Sequence, residues 1–119
     1  MIFLGWRQVR KKVKKVWGYE IWMVNSEKYC GKILNLKKGY RCSLHQHFIK
    51  DETFYILEGK VLMQIVDVIK TMNVNESVHI PPRTIHRFTG LEDSKIIEIS
   101  TQHFEEDSYR LTESGKVEI

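Results

Sequence analysis

The sequence predicts an all-β fold of antiparallel strands, a sandwich or barrel, and three observations carry that expectation. Short runs rich in β-branched and aromatic residues recur along the 119-residue chain. Turn residues punctuate those runs at regular intervals. No window carries a long, capped helical pattern, and strands so evenly spaced suit a sandwich or barrel.

Taken in order, the chain opens on a basic stretch in which Arg7, Arg10, Lys11, Lys12, Lys14 and Lys15 precede any acidic residue. Val9, Val13 and Val16 stand at helical spacing, so residues 1–16 read as a basic N-terminal arm, amphipathic or simply solvated, and 17–119 as a single domain. Strands are then expected at Glu20 to Val24, Tyr29 to Leu36 and Arg41 to His47, separated by Asn25-Ser26-Glu27-Lys28 and Lys37-Lys38-Gly39. Glu52 to Leu57 and Val61 to Val66 follow, joined by the Glu58-Gly59-Lys60 turn. Val68 to Met72, Ser77 to Ile80, His86 to Thr89 and Lys95 to Thr101 bring the count near nine. Ile33, Leu44, Ile56, Leu62 and Ile97 are the expected core.

Composition narrows the function classes. With 42% apolar residues the chain can bury a core without disulfides, and Cys30 and Cys42, lacking CxxC spacing, read as reduced thiols. No apolar run approaches the roughly 20 residues of a membrane span, and Met1-Ile2-Phe3-Leu4 lacks the order of a signal peptide, so a cytoplasmic protein is expected. The net charge of +4 comes without a helix-turn-helix or an aromatic-interleaved RNA motif, which argues against nucleic acid.

The functional signal lies between Gly39 and Gly59. His45 and His47 are two apart, so on a strand both imidazoles project to one side and can share an ion. Phe48 to Asp51 are few enough for a tight connection, and a hairpin there returns Glu52 beside the histidines. His86 follows the Pro81-Pro82 break and begins a new extended element. Alternation points only one of Asp51 and Glu52 at the ion. A lone His-x-His is more often a polar strand face, but three imidazoles and a carboxylate are rarely assembled for packing. His79 and His103 fit no motif and read as ordinary strand or surface histidines; Trp17, Trp22, Phe54 and Tyr55 read as core or rim.

These residues carry a resemblance. Gly39-x5-His45-x-His47-x4-Glu52-x6-Gly59 resembles the first cupin motif in every position, and Pro81, Pro82 and His86 match the second, with Arg83 at its usual glycine and Gly90 at its usual asparagine. Lys15-Val16-Trp17-Gly18, Asn75-Glu76-Ser77, Ile80-Pro81, His86-Arg87 and the acidic segment from Glu105 to Arg110 are similar to the cupin domain of type II mannose-6-phosphate isomerases, which often have Gln at the position of His45. The resemblance implies a cupin jelly roll, Glu52 rather than Asp51 as the carboxylate ligand, and a homodimer. The cofactor it implies is one divalent transition metal (Zn, Mn, Fe, Ni or Co) on His45, His47, Glu52 and His86.

An ion preferring five or six ligands, held by four, keeps positions for the two oxygens of an α-hydroxycarbonyl, and as a Lewis acid it would stabilise an enediolate. Glu98 on a late strand, with Lys50, is the candidate catalytic pair, and Lys50, Arg83, Arg87 and Arg110 are candidate substrate-binding cations for a sugar phosphate. The leading expectation is a metal-dependent aldose-ketose isomerase of a sugar or sugar phosphate. An iron(II) cupin dioxygenase and a non-catalytic sugar-binding module are the alternatives.

Overall fold

The structure, a computed structural model, describes residues 11–118. Its strands are β1 (Lys11–Lys15), β2 (Gly18–Asn25), β3 (Cys30–Leu36), β4 (Tyr40–Arg41), β5 (His45–Gln46), β6 (Glu52–Glu58), β7 (Lys60–Ile65), β8 (Val68–Asn73), β9 (Ser77–Ile80), β10 (His86–Gly90), β11 (Ser94–Ser100), β12 (Tyr109–Arg110) and β13 (Gly115–Lys116), with a 3-10 turn at Glu105–Asp107. Every pairing is antiparallel. No helix among the described residues is long and apolar enough to cross a membrane.

Two sheets form the body. One has the order β1-β2-β3-β11-β6-β9; in the other β10 pairs with β7 along one edge and with β4 and β5 along the opposite edge, β8 extending beyond β7, and β12 and β13 beyond β5 and β4. The nine expected strands are present, the Arg41–His47 run being split into β4 and β5. The helical reading of Val9, Val13 and Val16 is replaced over residues 11–15 by a strand, Val13 pairing opposite Glu20. Residues 1–10, with Arg7, Val9 and Arg10, lie outside the described residues. The lysines of β1 occupy a sheet edge, where charge discourages further pairing.

The core is Trp17, Leu34, Leu36, Cys42, Phe54, Ile56, Val61, Met63, Met72, Ile80, Phe88 and Ile96. Of the expected core residues only Ile56 belongs to it; Ile33, Leu62 and Ile97 are half-buried on the outward phase of their strands, and Leu44 is half-buried in the link between β4 and β5. On β3 and β11 the inward phase is masked because charged residues share it with the apolar ones. On β3 the buried positions are Cys30, Lys32, Leu34 and Leu36, and on β11 they are Ser94, Ile96, Glu98 and Ser100. The inner face of this sheet is therefore apolar at one end and charged at the other.

The turns between strands mostly carry the chain from one sheet to the other. Glu58-Gly59-Lys60 links β6 to β7 in different sheets, and Gly59 sits there at φ +88°, a left-handed conformation that side chains resist. A Cβ on it would meet Ser94 Oγ and come within 2.5 Å of the Asp93 carbonyl oxygen. Arg83 is likewise left-handed, at φ +64°, which explains why a glycine is usual at that place in the motif. Gly59→Ala should therefore cost about 2 kcal/mol or more of stability, from strain plus collision, whereas Arg83→Gly should cost nothing. Thermal denaturation of both variants reads this out.

Candidate metal centre

The three motif histidines converge from two strands of one sheet. His45 on β5 is the direct cross-strand partner of His86 on β10, and His47 follows two residues after His45. One ring nitrogen from each lies within 4.8 Å of those of the other two. Every Nδ1 is held by a backbone carbonyl: His45 by Ser43 at 2.7 Å, His47 by Asp107 at 3.1 Å and His86 by Thr84 at 2.9 Å. A carbonyl only accepts, so each Nδ1 carries the proton and each Nε2 is left with a bare lone pair. Burial, reinforced by neighbouring positive charge, holds His45 well below the ordinary histidine range and His47 down to about 3, so both are neutral near pH 7.

Glu52 reaches two of these histidines from the other sheet. It begins β6, which pairs with β11 and β9 and not with β5, so the expected hairpin is replaced by a crossing between sheets. The carboxylate reaches the histidines across the interior, its Oε2 lying 3.2 Å from His86 Nε2 and 3.4 Å from His47 Nε2. Asp51 points outward and pairs with His79, as alternation requires. The crossing is shaped by Asp107, a buried carboxylate that accepts the backbone N–H groups of Phe48, Ile49 and Lys50 at 2.9–3.2 Å. Its own carbonyl holds His47, so one residue of the tail positions both the ligand and the turn.

The donor set fits a divalent transition ion. Glu52 Oε2 and His86 Nε2 are buried and have no hydrogen-bond partner among the described residues, although they face each other. Two acceptors cannot satisfy one another; a cation between them would satisfy both.

Beside this set the cavity wall is built from buried charges. Lys50 Nζ lies 3.1 Å from Glu98 and 3.8 Å from Glu52, and all three are nearly inaccessible to solvent. Burial pushes Glu98 toward the neutral form, but Lys50, Lys32 and hydrogen bonds from Lys50 and Ser100 outweigh it and hold the carboxyl down to about 2. Burial likewise works against the Lys50 ammonium and is overcome by Glu98 and Glu52, leaving it raised. Glu98 thus faces inward beside Lys50.

Lys32 and Glu20 were not anticipated as part of the site. Lys32 Nζ is 3.6 Å from Glu20 and sits 4.1 Å above the Trp22 ring, whose indole N–H donates to Glu20 at 2.8 Å. The only sequence signal was a lysine in phase with Leu34 and Leu36. His103, read as an ordinary histidine, also lines this wall.

The candidate cations separate. Lys50 and Arg110 line the cavity, Arg110 pairing opposite His45 at the mouth with Lys15 also in the lining. Arg87 does not: His86 and Phe88 take the inward phase of β10, and Arg87 lies on the other face near Arg41. Arg83 is exposed on the loop, its guanidinium 5.7 Å from the Phe48 ring. Cys30 and Cys42 are buried and unbridged, and burial raises both thiols, Cys42 to about 12. Neither is a nucleophile near neutral pH.

Removing the Asp107 carboxylate would strand three backbone donors at once. Asp107→Ala should lose about 2–3 kcal/mol of stability and weaken metal retention, where Glu106→Ala, exposed on the same turn, changes neither. Denaturant unfolding and metal content measured together would show it.

Comparison with known proteins agrees with this geometry. Residues 6–113 match the family described as mannose-6-phosphate isomerase C-terminal. A mannose-1-phosphate guanylyltransferase of Sinorhizobium fredii is 28% identical over 107 residues, which are 87% of this chain and 21% of that protein. An uncharacterized protein of Methanocaldococcus jannaschii is 32% identical over 53 residues, 44% of this chain and 42% of that one. The chain thus spans about a fifth and under half of the lengths of these relatives. Among solved structures, KdgF from a Halomonas species aligns with TM-score 0.69 at 17% identity, over 74% of this chain and 81% of that chain. A Bacillus subtilis oxalate decarboxylase variant aligns with TM-score 0.77 at 20% identity, over 86% of this chain and 30% of that chain. A Streptomyces nucleoside dehydratase solved with uridine gives TM-score 0.77 at 10% identity, over 87% and 85%. The structural likenesses show the fold, and the sequence match shows the lineage: the chain is a cupin domain belonging to the mannose-6-phosphate isomerase C-terminal family.

Proposed function

We propose that this protein is a metal-dependent isomerase of a sugar or sugar phosphate, with mannose 6-phosphate and fructose 6-phosphate as the concrete pair. The observation that carries the reading is the convergence of three bare imidazole nitrogens and the Glu52 carboxylate beside a buried Lys50–Glu98 pair. His45, His47, Glu52 and His86 would hold the ion. A divalent ion there supplies Lewis-acid polarisation of a carbonyl and its neighbouring hydroxyl.

The chain's own residues do the rest. Lys50, kept as an ammonium, donates a hydrogen bond to a sugar oxygen on which negative charge develops. Glu98 holds Lys50 in place, and at a pKa of about 2 it is a weak base in the free protein. When a sugar oxygen draws Lys50 away, the opposing effect of burial raises its basicity, and it takes the proton from the hydroxyl-bearing carbon beside the carbonyl and gives it back to the former carbonyl carbon, while the hydroxyl proton passes to the former carbonyl oxygen. The cavity, about 100 Å³, is lined by His45, His47, Lys50 and Glu98, so the reacting end of the sugar is placed there. The phosphate is left at the mouth, where Arg110 and Lys15 stand. Arg87, on the other face, drops out of the phosphate rim. A cytoplasmic setting belongs to the same reading and is supported by two unbridged thiols. The homodimer implied by the resemblance also remains part of it.

Elemental analysis with an isomerase assay tests the proposal. His47→Ala and His86→Ala should lose stoichiometric metal and turnover together while circular dichroism stays that of the folded chain, since a core of this size does not need an ion to pack. Glu98→Gln should keep the metal and lose turnover. Metal-loaded wild type that fails to interconvert the two hexose phosphates, or that consumes oxygen instead, would sink the isomerase. Arg110→Ala should raise the KM for mannose 6-phosphate at least about tenfold, the loss of one charge-assisted pair, and Arg87→Ala should not.

A further inference from the structure

Two charged residues of the cavity wall, Lys32 and Glu20, take no part in the reaction proposed above. The strand order of their sheet shows where they stand. Glu52, Glu98, Lys32 and Glu20 lie on β6, β11, β3 and β2, which are successive neighbours, and Lys32 is the direct cross-strand partner of both Glu98 and Trp22. Neighbouring strands are about 4.8 Å apart, so Lys32 stands one strand and Glu20 two strands from Glu98, on the way to Lys15 of β1 at the mouth.

The two are held by Trp22 more than by each other. Its indole N–H donates to Glu20 Oε1 at 2.8 Å, and its ring lies 4.1 Å from the Lys32 ammonium. Lys32 Nζ and Glu20 Oε1 are 3.6 Å apart, longer than a hydrogen bond. Among the described residues, Lys32 Nζ and Glu20 Oε2 therefore keep their hydrogen-bonding capacity unspent. Neither atom is sealed off: the partnerless side-chain atoms shut away from solvent among those residues are Glu52 Oε2, His86 Nε2 and His103 Nδ1. The two side chains are only 2% and 11% exposed and both line the cavity, so the surface they keep is the surface they present to it.

Such a pair calls for a group that accepts from an ammonium and donates to a carboxylate. A hydroxyl does both, and two hydroxyls on adjacent carbons can do one each. A phosphate dianion only accepts and is repelled by Glu20, and an apolar group leaves both charges unpaired.

We propose that Lys32 Nζ and Glu20 Oε2 bind hydroxyls on the middle carbons of the open-chain sugar, and that Trp22 positions both. The assignment rests on the sugar reading above and lays the ligand across the strands. The carbonyl end lies beside Glu98 and Lys50, the hydroxyl-bearing carbons along Lys32 and Glu20, and the phosphate at Arg110 and Lys15. Substrates of this site are then hydroxylated along their length.

Calorimetry on zinc-loaded protein tests this with the alditol phosphate made by reducing mannose 6-phosphate, which has no carbonyl and cannot turn over. Forms lacking the hydroxyl of hexose carbon 3, 4 or 5 complete the set. Wild type should bind at least one deoxy form about tenfold more weakly than the parent, the loss of one charge-assisted hydrogen bond. Lys32→Met, Glu20→Gln and Trp22→Phe should each weaken the parent by about that factor with zinc content unchanged, and should no longer distinguish it from that deoxy form. Glu20→Gln keeps an amide oxygen for the Trp22 N–H, so it carries the test if Lys32→Met does not fold. Equal losses for the parent and every deoxy form would reduce the pair to a structural role and overturn the proposal, as would no sugar binding at all. Lost discrimination in a protein that interconverts no hexose phosphates would sink the isomerase and keep the pair, and normal isomerisation with equal losses would do the reverse.

Discussion

Three imidazole nitrogens within 4.8 Å of one another, with the Glu52 carboxylate 3.2 Å and 3.4 Å from two of them, make the demand on which the rest of this molecule turns. Backbone carbonyls take the Nδ1 protons of His45, His47 and His86, and Glu52 adds a carboxylate, so no member of the group can satisfy another. In water such a cluster would be unremarked; inside a β-sandwich it is costly unless a cation joins it. The surrounding structure has the character such a demand requires. The candidate ligands sit on strands or beside them, the rings are fixed by main-chain hydrogen bonds, and on β3 and β11 the charged positions take one end of the inner face while Leu34, Leu36 and Ile96 take the other.

Asp107 shows how the tail of the chain is drawn into that arrangement. A carboxylate buried near other acidic groups is unfavourable by itself, and this one is compensated by three backbone N–H donors from the crossing that separates His47 from Glu52. The crossing needs those bonds because its amides have left one sheet and not yet joined the other. The acidic segment seen in the sequence therefore has a structural role at its third residue, while Glu105 at its first holds His103.

The buried charges beside the histidine cluster form opposed pairs: Lys50 with Glu98 and Glu52, and Lys32 with Glu20. Such pairs add little net stability, since desolvation offsets most of their attraction. Their burial beside the cavity suits the proposed reaction, in which a preorganised ammonium and a carboxylate would act on a substrate with little rearrangement. The same reasoning separates Arg110 from Arg87: both are arginines near motif residues, but strand alternation gives one to the cavity mouth and the other to the outer surface.

How much of this was legible in the chain follows from which forces are local. Turn residues and β-branched runs determined the strands, because both act over a few residues, and the spacing of His45, His47, Glu52 and His86 singled out side chains that the structure brings close together, because a motif of that kind is a record of geometry. Arg83 at the glycine place of the motif could be noticed in the sequence, but only its φ of +64° explains the preference. The inward phase of β3 and β11 was not legible, since Lys32 and Glu98 occupy it and the hydrophobic alternation that normally marks a core face is interrupted by them. Nor was the sheet to which β6 belongs: a short connection can close a hairpin or cross a sandwich, and the choice rests on Asp107, some sixty residues away. His103 was set aside for the same reason, because nothing near it in the chain shows that Trp22 and Asn25 hold it in the cavity wall. Local chemistry determined the strands and the ligand candidates, and tertiary contacts decided which faces turned inward, which sheets the ligands came from and which charges the cavity received.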